Sequence, residues 1–431
     1  MRKGISLIFL VVLFMALVNF GFVSAQDSSQ YQYVEPLSAV KLECSLEDKA
    51  QQITFSGPSL CANFLNPSPA VSSNGRLVVA SVYGEGSQLG KAVAINFSDG
   101  NLSVWNQYLI DSSSIFPGLV VTEVTLKEKN GNLFLLVIGT DTFGSSGKAY
   151  LLKSTDNGDS FSVLQTLMTK NMPFSFSDMV VQGQYLVITF RSPGFFGDTT
   201  IDAIDLFFSS DGGGSFDQRT LGGPKGGYFT TPKLQSAGSK LYLFSPYVNK
   251  VSYEALLVSR YSENGGKDLI GAGWPNIRYA GLFGQVGSKD VRGWITTAYS
   301  DHILYAAYPV RTESGGFQTY FVSKKDGQNG TLPQRLSDSQ DSSLLPAISA
   351  SNGKVLAIFY RQQEDTLNWR VFGTFINQQG KMTQDFPVGD LWQLDTACGS
   401  GIGLKAALES YKNEFVAIWP QEHGLFARIK K

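Results

Sequence analysis

Charge, histidine, cysteine and helical periodicity are all scarce in this chain. Only 16% of its 431 residues are charged, and the formal net charge is −1. That balance excludes a broad basic surface for nucleic acid. Two histidines and three cysteines leave too few ligands for a structural zinc cluster. No Gly-x-Ser-x-Gly elbow or phosphate loop appears, so no metal and no cofactor is expected. What the chain has in quantity is apolar and turn-forming: 43% hydrophobic residues, 13% aromatics and 45 glycines. Such a composition buries a large core and excludes disorder.

Residues 1–25 read as a secretory signal. Arg2 and Lys3 precede an apolar run from Ile5 to Phe22, and Ser24-Ala25 supplies the small residues a signal peptidase needs. Uncleaved, the same run approaches the length of a membrane span, the one route by which the chain would meet a membrane. The expected location is therefore secreted, extracellular or periplasmic, with residues 26–431 forming a single domain. Export permits one disulfide among Cys44, Cys61 and Cys398. Three outcomes stand open: Cys61–Cys398, Cys44–Cys61, or no bridge. Asn96-Phe97-Ser98, Asn101-Leu102-Ser103 and Asn329-Gly330-Thr331 are glycosylation sequons.

After the signal, short runs rich in Val, Ile, Leu, Phe and Tyr alternate with Gly, Asn, Asp and Ser. One unit recurs: an apolar strand, a tight polar turn and a second, more hydrophobic strand. Its turns fall near Gly75, Gly131, Gly183, Gly238, Asp301, Gly353 and Asn413, spaced 52 to 63 residues apart. That period, with room for about four strands, predicts an all-β fold, a β-propeller. Seven four-stranded blades are expected, with six as the runner-up because the Asp301 and Asn413 repeats are less regular. The last repeat has room for only three strands, near 403–409, 414–419 and 424–429. A segment near 38–47 or 52–56 would supply the fourth and close the ring.

Two stretches share an eight-residue pattern. Ser154-Thr155-Asp156-Asn157-Gly158-Asp159-Ser160-Phe161 and Ser209-Ser210-Asp211-Gly212-Gly213-Gly214-Ser215-Phe216 follow the third strands of adjacent repeats. Degenerate versions start at Ser98 and Ser323. In each, the carboxylate can accept hydrogen bonds from its own turn, Gly takes the strained backbone angle and the ring fills a gap between strands. Both stretches resemble the Asp-box of the sialidase (neuraminidase) and BNR-repeat superfamily of propellers. The resemblance implies that the boxes lie opposite the active face. Ser154, Asp156, Gly158, Phe161, Ser209, Asp211, Gly213 and Phe216 are then fold residues.

The opposite face, where inner strands start and second strands end, is the expected ligand mouth. Second strands end with Tyr83, Asp141, Arg191, Tyr247, Arg311 and Arg361, and Glu123 and Asp178 stand near two inner-strand starts. By resemblance, a sialidase would use three arginines, an acid/base Asp and a Tyr activated by Glu. Arg191, Arg311, Arg361, Asp178, Glu123 and Tyr360 are the candidates. The superfamily's Phe/Tyr-Arg-Ile-Pro motif is missing, and seven blades would depart from the six of sialidases. The expected function is therefore a secreted or surface-attached propeller that binds a glycan or extracellular protein through its mouth, without catalysis. A monomer is expected. A sialidase-type glycoside hydrolase and an envelope assembly scaffold are the alternatives.

Overall fold

The computed structural model describes residues 37–42, 64–85, 88–98, 102, 105–141, 146–167, 175–192, 203–222, 227–229, 231–249, 255–266, 268, 270–271, 277–279, 295–311, 316–328, 330–337, 339–363, 368–389, 392–393, 405–421 and 424–430. Cys44, Cys61, Cys398 and the signal segment lie outside them.

Seven antiparallel sheets form among the described residues. Taken in chain order, their innermost strands are Phe64–Val71, Leu119–Lys129, Ser175–Gln182, Lys233–Ala237, Thr296–Ser300, Ser343–Ser351 and Ala407–Tyr411. Each continues through a tight hairpin to a second strand. The hairpin needs positive φ, and the repeated turn residues provide it: Gly75 at +80°, Gly131 at +81°, Gly183 at +55° and Asn413 at +67°. In the fifth sheet Asp301 and His302 take positive φ side by side.

Successive sheets pack face to face, the arrangement of a β-propeller. Val78 and Ile95 of the first sheet meet Val124 and Leu135 of the second. Leu136 and Leu151 of the second meet Ile188 and Phe207 of the third. Val187 and Leu206 meet Leu234 and Leu241 of the fourth, and Phe244 meets Leu304 and Val322 of the fifth. Tyr305 and Phe321 pack on Ala357 and Phe359 of the sixth. Phe375 then contacts Phe415 of the seventh, with ring centroids 6.2 Å apart. The seventh in turn packs on the first, Val416 and Ile418 against Leu77 and Val79. There Tyr411 donates its hydroxyl proton to Gly75 O at 2.8 Å. A fully buried Leu or Val contributes about 1.5–3 kcal/mol relative to exposure, so these interfaces dominate the stability.

Leu37–Leu42 pairs antiparallel with Gly424–Lys430, giving the seventh sheet a fourth strand. This is the earlier of the two expected segments.

Four expectations need correction. The fourth sheet has six strands and the sixth has five. Both excesses are interruptions rather than additions. In the fourth sheet Gly227–Phe229 and Lys233–Ala237 pair with the same second strand, Pro232 between them having no N–H for the ladder, and Ile270–Gly271 and Ile277–Tyr279 share the third strand, Ala255–Ser262. Phe386–Pro387 and Trp392–Gln393 likewise share one partner. Asn96 is buried and accepts Gln107 Nε2 at 3.0 Å, so its sequon is not exposed in the folded chain. The Ser323 stretch does not form a carboxylate-centred turn. Thr331 bonds the Ser323 backbone from both its N–H and its hydroxyl oxygen, while Asp326 accepts from Tyr299 OH at 3.0 Å.

Candidate functional site

Third strands end beside the inner hairpins, and there the two eight-residue turns sit. Ser154 pairs with Leu133, close to the Gly131 hairpin. Asp156 accepts Ser154 Oγ at 2.7 Å and Ser160 N at 3.0 Å, and Gly158 N donates to Ser154 Oγ at 2.8 Å. Asp211 repeats the set with Ser209 Oγ at 2.6 Å and Ser215 N at 3.0 Å, and Gly213 N reaches Ser209 Oγ at 2.7 Å. Gly158 and Gly213 have φ of +94° and +96°. Phe161 and Phe216 are half-buried against the neighbouring cores.

The fourth sheet holds a third such turn that no motif search on Asp would find. Asn264 replaces the carboxylate, accepting Ser262 Oγ at 2.6 Å and Asp268 N at 3.0 Å. Its amide donates back to Asp268 Oδ2 at 2.6 Å, and Gly266 stands at φ +103°.

Partial burial raises the Asp156 pKa, but hydrogen bonds from Ser160 and Ser154 outweigh it and hold the carboxyl at about 2. The folded value lies below the ordinary 3.8. The stabilisation is therefore complete above about pH 4 and is lost as pH falls through about 2. Solvent screening at this half-buried site limits it to about 1 kcal/mol. Asp156→Asn is expected to lose that amount at pH 6 and little at pH 2, because Asn264 shows that an amide holds the same turn. Denaturant melts at the two pH values measure the difference; an equal loss at both would refute it.

The three arginines are not brought together by any described contact. Arg361 pairs with Asp385 at 3.0 Å and lies over the Phe372 ring at 3.4 Å, within its own sheet. Arg191 is half-buried at the end of its strand, in register with Ser175 and Ile204. Arg311 ends the fifth sheet's second strand, and its side chain lies outside the described structure, as does that of Tyr247. Tyr360 is buried, its hydroxyl donates to Pro420 O at 3.5 Å, and burial pushes its pKa far up. A phenol so placed is committed to the packing of the sixth sheet on the seventh.

Glu123 and Asp178 do share a site. Glu123 Oε2 accepts Ser177 N at 3.0 Å, and Asp178 accepts Lys233 Nζ at 3.0 Å and Leu234 N at 2.8 Å. Each carboxylate thus reaches from one inner strand to the next. Lys127, Lys405 and Glu409 join them. Burial lowers the Lys127 pKa, Lys233 lowers it further, and Asp178 and Glu409 oppose the shift. Burial also lowers that of Lys405, with Lys233 and Lys127 adding to it and Glu123 and Asp178 opposing. Burial raises that of Glu409, against Lys127. These groups belong to the second, third, fourth and seventh sheets. Sheets that do not adjoin one another sense each other's charges only near the propeller axis. The group lies along the innermost strands, Lys233 at the start of its strand, Glu123, Asp178 and Glu409 within theirs, and Lys127 two residues from the end of its own, near the Gly131 hairpin.

The arrangement has a β-propeller fold. No family model matches the chain, and no curated protein matches its sequence. Solved structures do match in fold. Penicillium chrysogenum α-L-arabinanase, complexed with arabinobiose, aligns with TM-score 0.50 and 13% identity over 92% of this chain and 99% of its own. Trypanosoma rangeli sialidase, in complex with the inhibitor DANA, aligns with TM-score 0.50 and 13% identity over 84% and 70%.

Proposed function

We propose that the chain is an exported, carbohydrate-binding propeller whose ligand meets the inner strands that carry Glu123, Lys127, Asp178, Lys233, Lys405 and Glu409, and that it binds without catalysis. In this reading the seven sheets are the blades of one ring, which Leu37–Leu42 closes. The observation that carries the reading is the linking of three successive inner strands by Glu123, which accepts Ser177 N–H, and Asp178, which pairs with Lys233. The packing of the seventh sheet on the first supports closure. The arabinanase and the sialidase are named for carbohydrate substrates, which favours a glycan over a protein ligand. The committed positions of Arg361 and Tyr360 argue against sialidase-type chemistry.

A second reading, a glycoside hydrolase, draws support from Glu409 and Asp178. One carboxyl is pushed towards its neutral form by burial, and the other is ion-paired to Lys233. Two carboxyl groups in unlike environments are what acid/base cleavage of a glycosidic bond requires.

Titration calorimetry against arabino-oligosaccharides, uronic-acid oligomers and sialyllactose tests both readings, with reducing-sugar release measured in parallel. Binding without release is expected. Turnover abolished by Glu409→Gln would replace the first reading with the second. Binding of no carbohydrate would remove both.

A further inference from the structure

Each inner strand leaves one edge outside the ladder, and side chains of the preceding sheet take up N–H groups from that edge. Ser68 Oγ accepts Leu126 N–H at 2.9 Å, and Glu123 Oε2 accepts Ser177 N–H at 3.0 Å. Asp178 Oδ2 accepts Leu234 N–H at 2.8 Å, and Thr296 Oγ1 accepts Ile348 N–H at 3.4 Å. These bonds tie the first sheet to the second, the second to the third, the third to the fourth and the fifth to the sixth. Asp178 and Thr296 stand four residues before the last residue of their strands, and Glu123 stands six before. In the sixth sheet the same two places hold Ala347 and Leu345, and in the seventh Ala407 and Lys405. Alanine and leucine have no polar side-chain atom, and lysine only donates. The fourth sheet likewise offers Lys233 to the fifth, but the fourth is tied to the third and the fifth to the sixth. Among the described residues the seventh sheet alone lacks such a tie on both sides. Its bonds to its neighbours include two at the hairpin end, Asn352 Nδ2 to Asn413 Oδ1 at 2.6 Å and Tyr411 OH to Gly75 O at 2.8 Å. At the opposite end Tyr360 OH meets Pro420 O at a longer 3.5 Å.

We propose that the seventh sheet is a gate: its inner strand, Ala407–Tyr411, parts from the sixth and first sheets before any other sheet opens, and it turns on the hairpin bonds of Asn413 and Tyr411. The proposal stands apart from the carbohydrate reading and needs only the packing of the seventh sheet on the first. A bond to a neutral acceptor shifts an opening equilibrium severalfold, and one to a carboxylate tenfold or more. A sheet without either on both sides therefore opens at a lower free energy than its neighbours. Opening there loosens one wall of inner strands and leaves the bonds that fix Glu123, Asp178 and Lys233 in place.

Native-state hydrogen exchange of the full chain, read by mass spectrometry, tests the gate. Peptides over the second strands Asn132–Asp141 and Glu414–Gln421 compare the second and seventh sheets on equal terms, since each strand is bonded on both sides and buries its apolar residues. Exchange in Glu414–Gln421 is expected to be at least about tenfold faster, the reach of the two carboxylate bonds that the second and third sheets make and the seventh does not. Equal or slower exchange there overturns the proposal. Ala347→Ser and Ala407→Ser each supply a hydroxyl where Thr296 has one. At least one of them is expected to slow Glu414–Gln421 by about threefold or more and to leave Asn132–Asp141 unchanged. If neither slows it, or if both sheets slow alike, the missing ties are not the cause and the proposal fails. Thr296→Val keeps the test open should the serine variants fail to fold. It removes the tie of the fifth sheet to the sixth, so exchange in the second strand Ile303–Arg311 should rise by about threefold or more. An unchanged rate there shows that these bonds do not govern opening, and it too overturns the gate.

Discussion

Arg361→Ala is expected to destabilise the fold by about 3–5 kcal/mol, the usual cost of breaking a buried ion pair from one side. Asp385 and Arg361 are only 3% and 13% exposed at their side chains, so the surviving carboxylate has no ready water to replace the guanidinium. Ser337 would remain as a donor to Asp385 Oδ2 at 3.1 Å, which offsets a small part. The stacking of Arg361 on Phe372 is lost as well, and a cation held over a ring is worth about 0.5–2 kcal/mol. Asp385→Leu in the same chain removes the stranded charge, so the double variant Arg361→Met/Asp385→Leu should recover most of the stability. Urea melts of the singles and the double give the coupling directly. A loss under 1 kcal/mol for Arg361→Ala, together with lost carbohydrate binding, would return this arginine to the ligand site.

That arginine shows where the sequence stops being informative. Its place at the end of a second strand is readable from the repeat, and the strand is indeed Lys354–Gln362. Where the guanidinium points is decided by Asp385, 24 residues later in a segment without a repeat signature. The hairpins are legible for a backbone reason: positive φ favours Gly or Asn, so Gly75, Gly131, Gly183 and Asn413 mark the units they serve, while Asp301 and His302 take positive φ without that signature. The turn at Ser262 is illegible to the same logic because Asn264 and Asp268 exchange the usual donor and acceptor types. The axial lysines were hidden differently. Along Leu119–Lys129, Glu123 and Lys127 read as ordinary alternation, and only the coming together of four sheets turns scattered charges into one cluster. Glu123 and Asp178 were recognisable from the repeat, which puts them on the inner strands; their partners Ser177 and Lys233 belong to the following strands and needed the three-dimensional register.

Gly158→Val is expected to cost about 3 kcal/mol or more, from backbone strain and overpacking together. At φ +94° the residue lies beyond the left-handed basin that L side chains tolerate, which centres near +57°. A Cβ there would stand 3.2 Å from Leu133 Cδ1 and 3.2 Å from Val78 Cγ2. Val78 is fully buried between the first and second sheets and has no room to move. The first sheet poses the opposite problem at the matching position. Leu102 stands four residues after Ser98, as Gly158 does after Ser154, but its φ is +61°. That angle lies inside the basin, so a leucine is accepted at modest strain. Its side chain packs with Leu77 and Tyr411 where the seventh sheet meets the first. Leu102→Gly therefore relieves about 1 kcal/mol of strain and loses roughly 2–5 kcal/mol of packing, a net destabilisation. The same residue type thus has opposite value at equivalent turns, because one glycine admits a close approach and one leucine fills a seam. Equilibrium unfolding of both variants checks the pair. A Leu102→Gly chain as stable as the parent would show that the first and seventh sheets are not held together through this cluster.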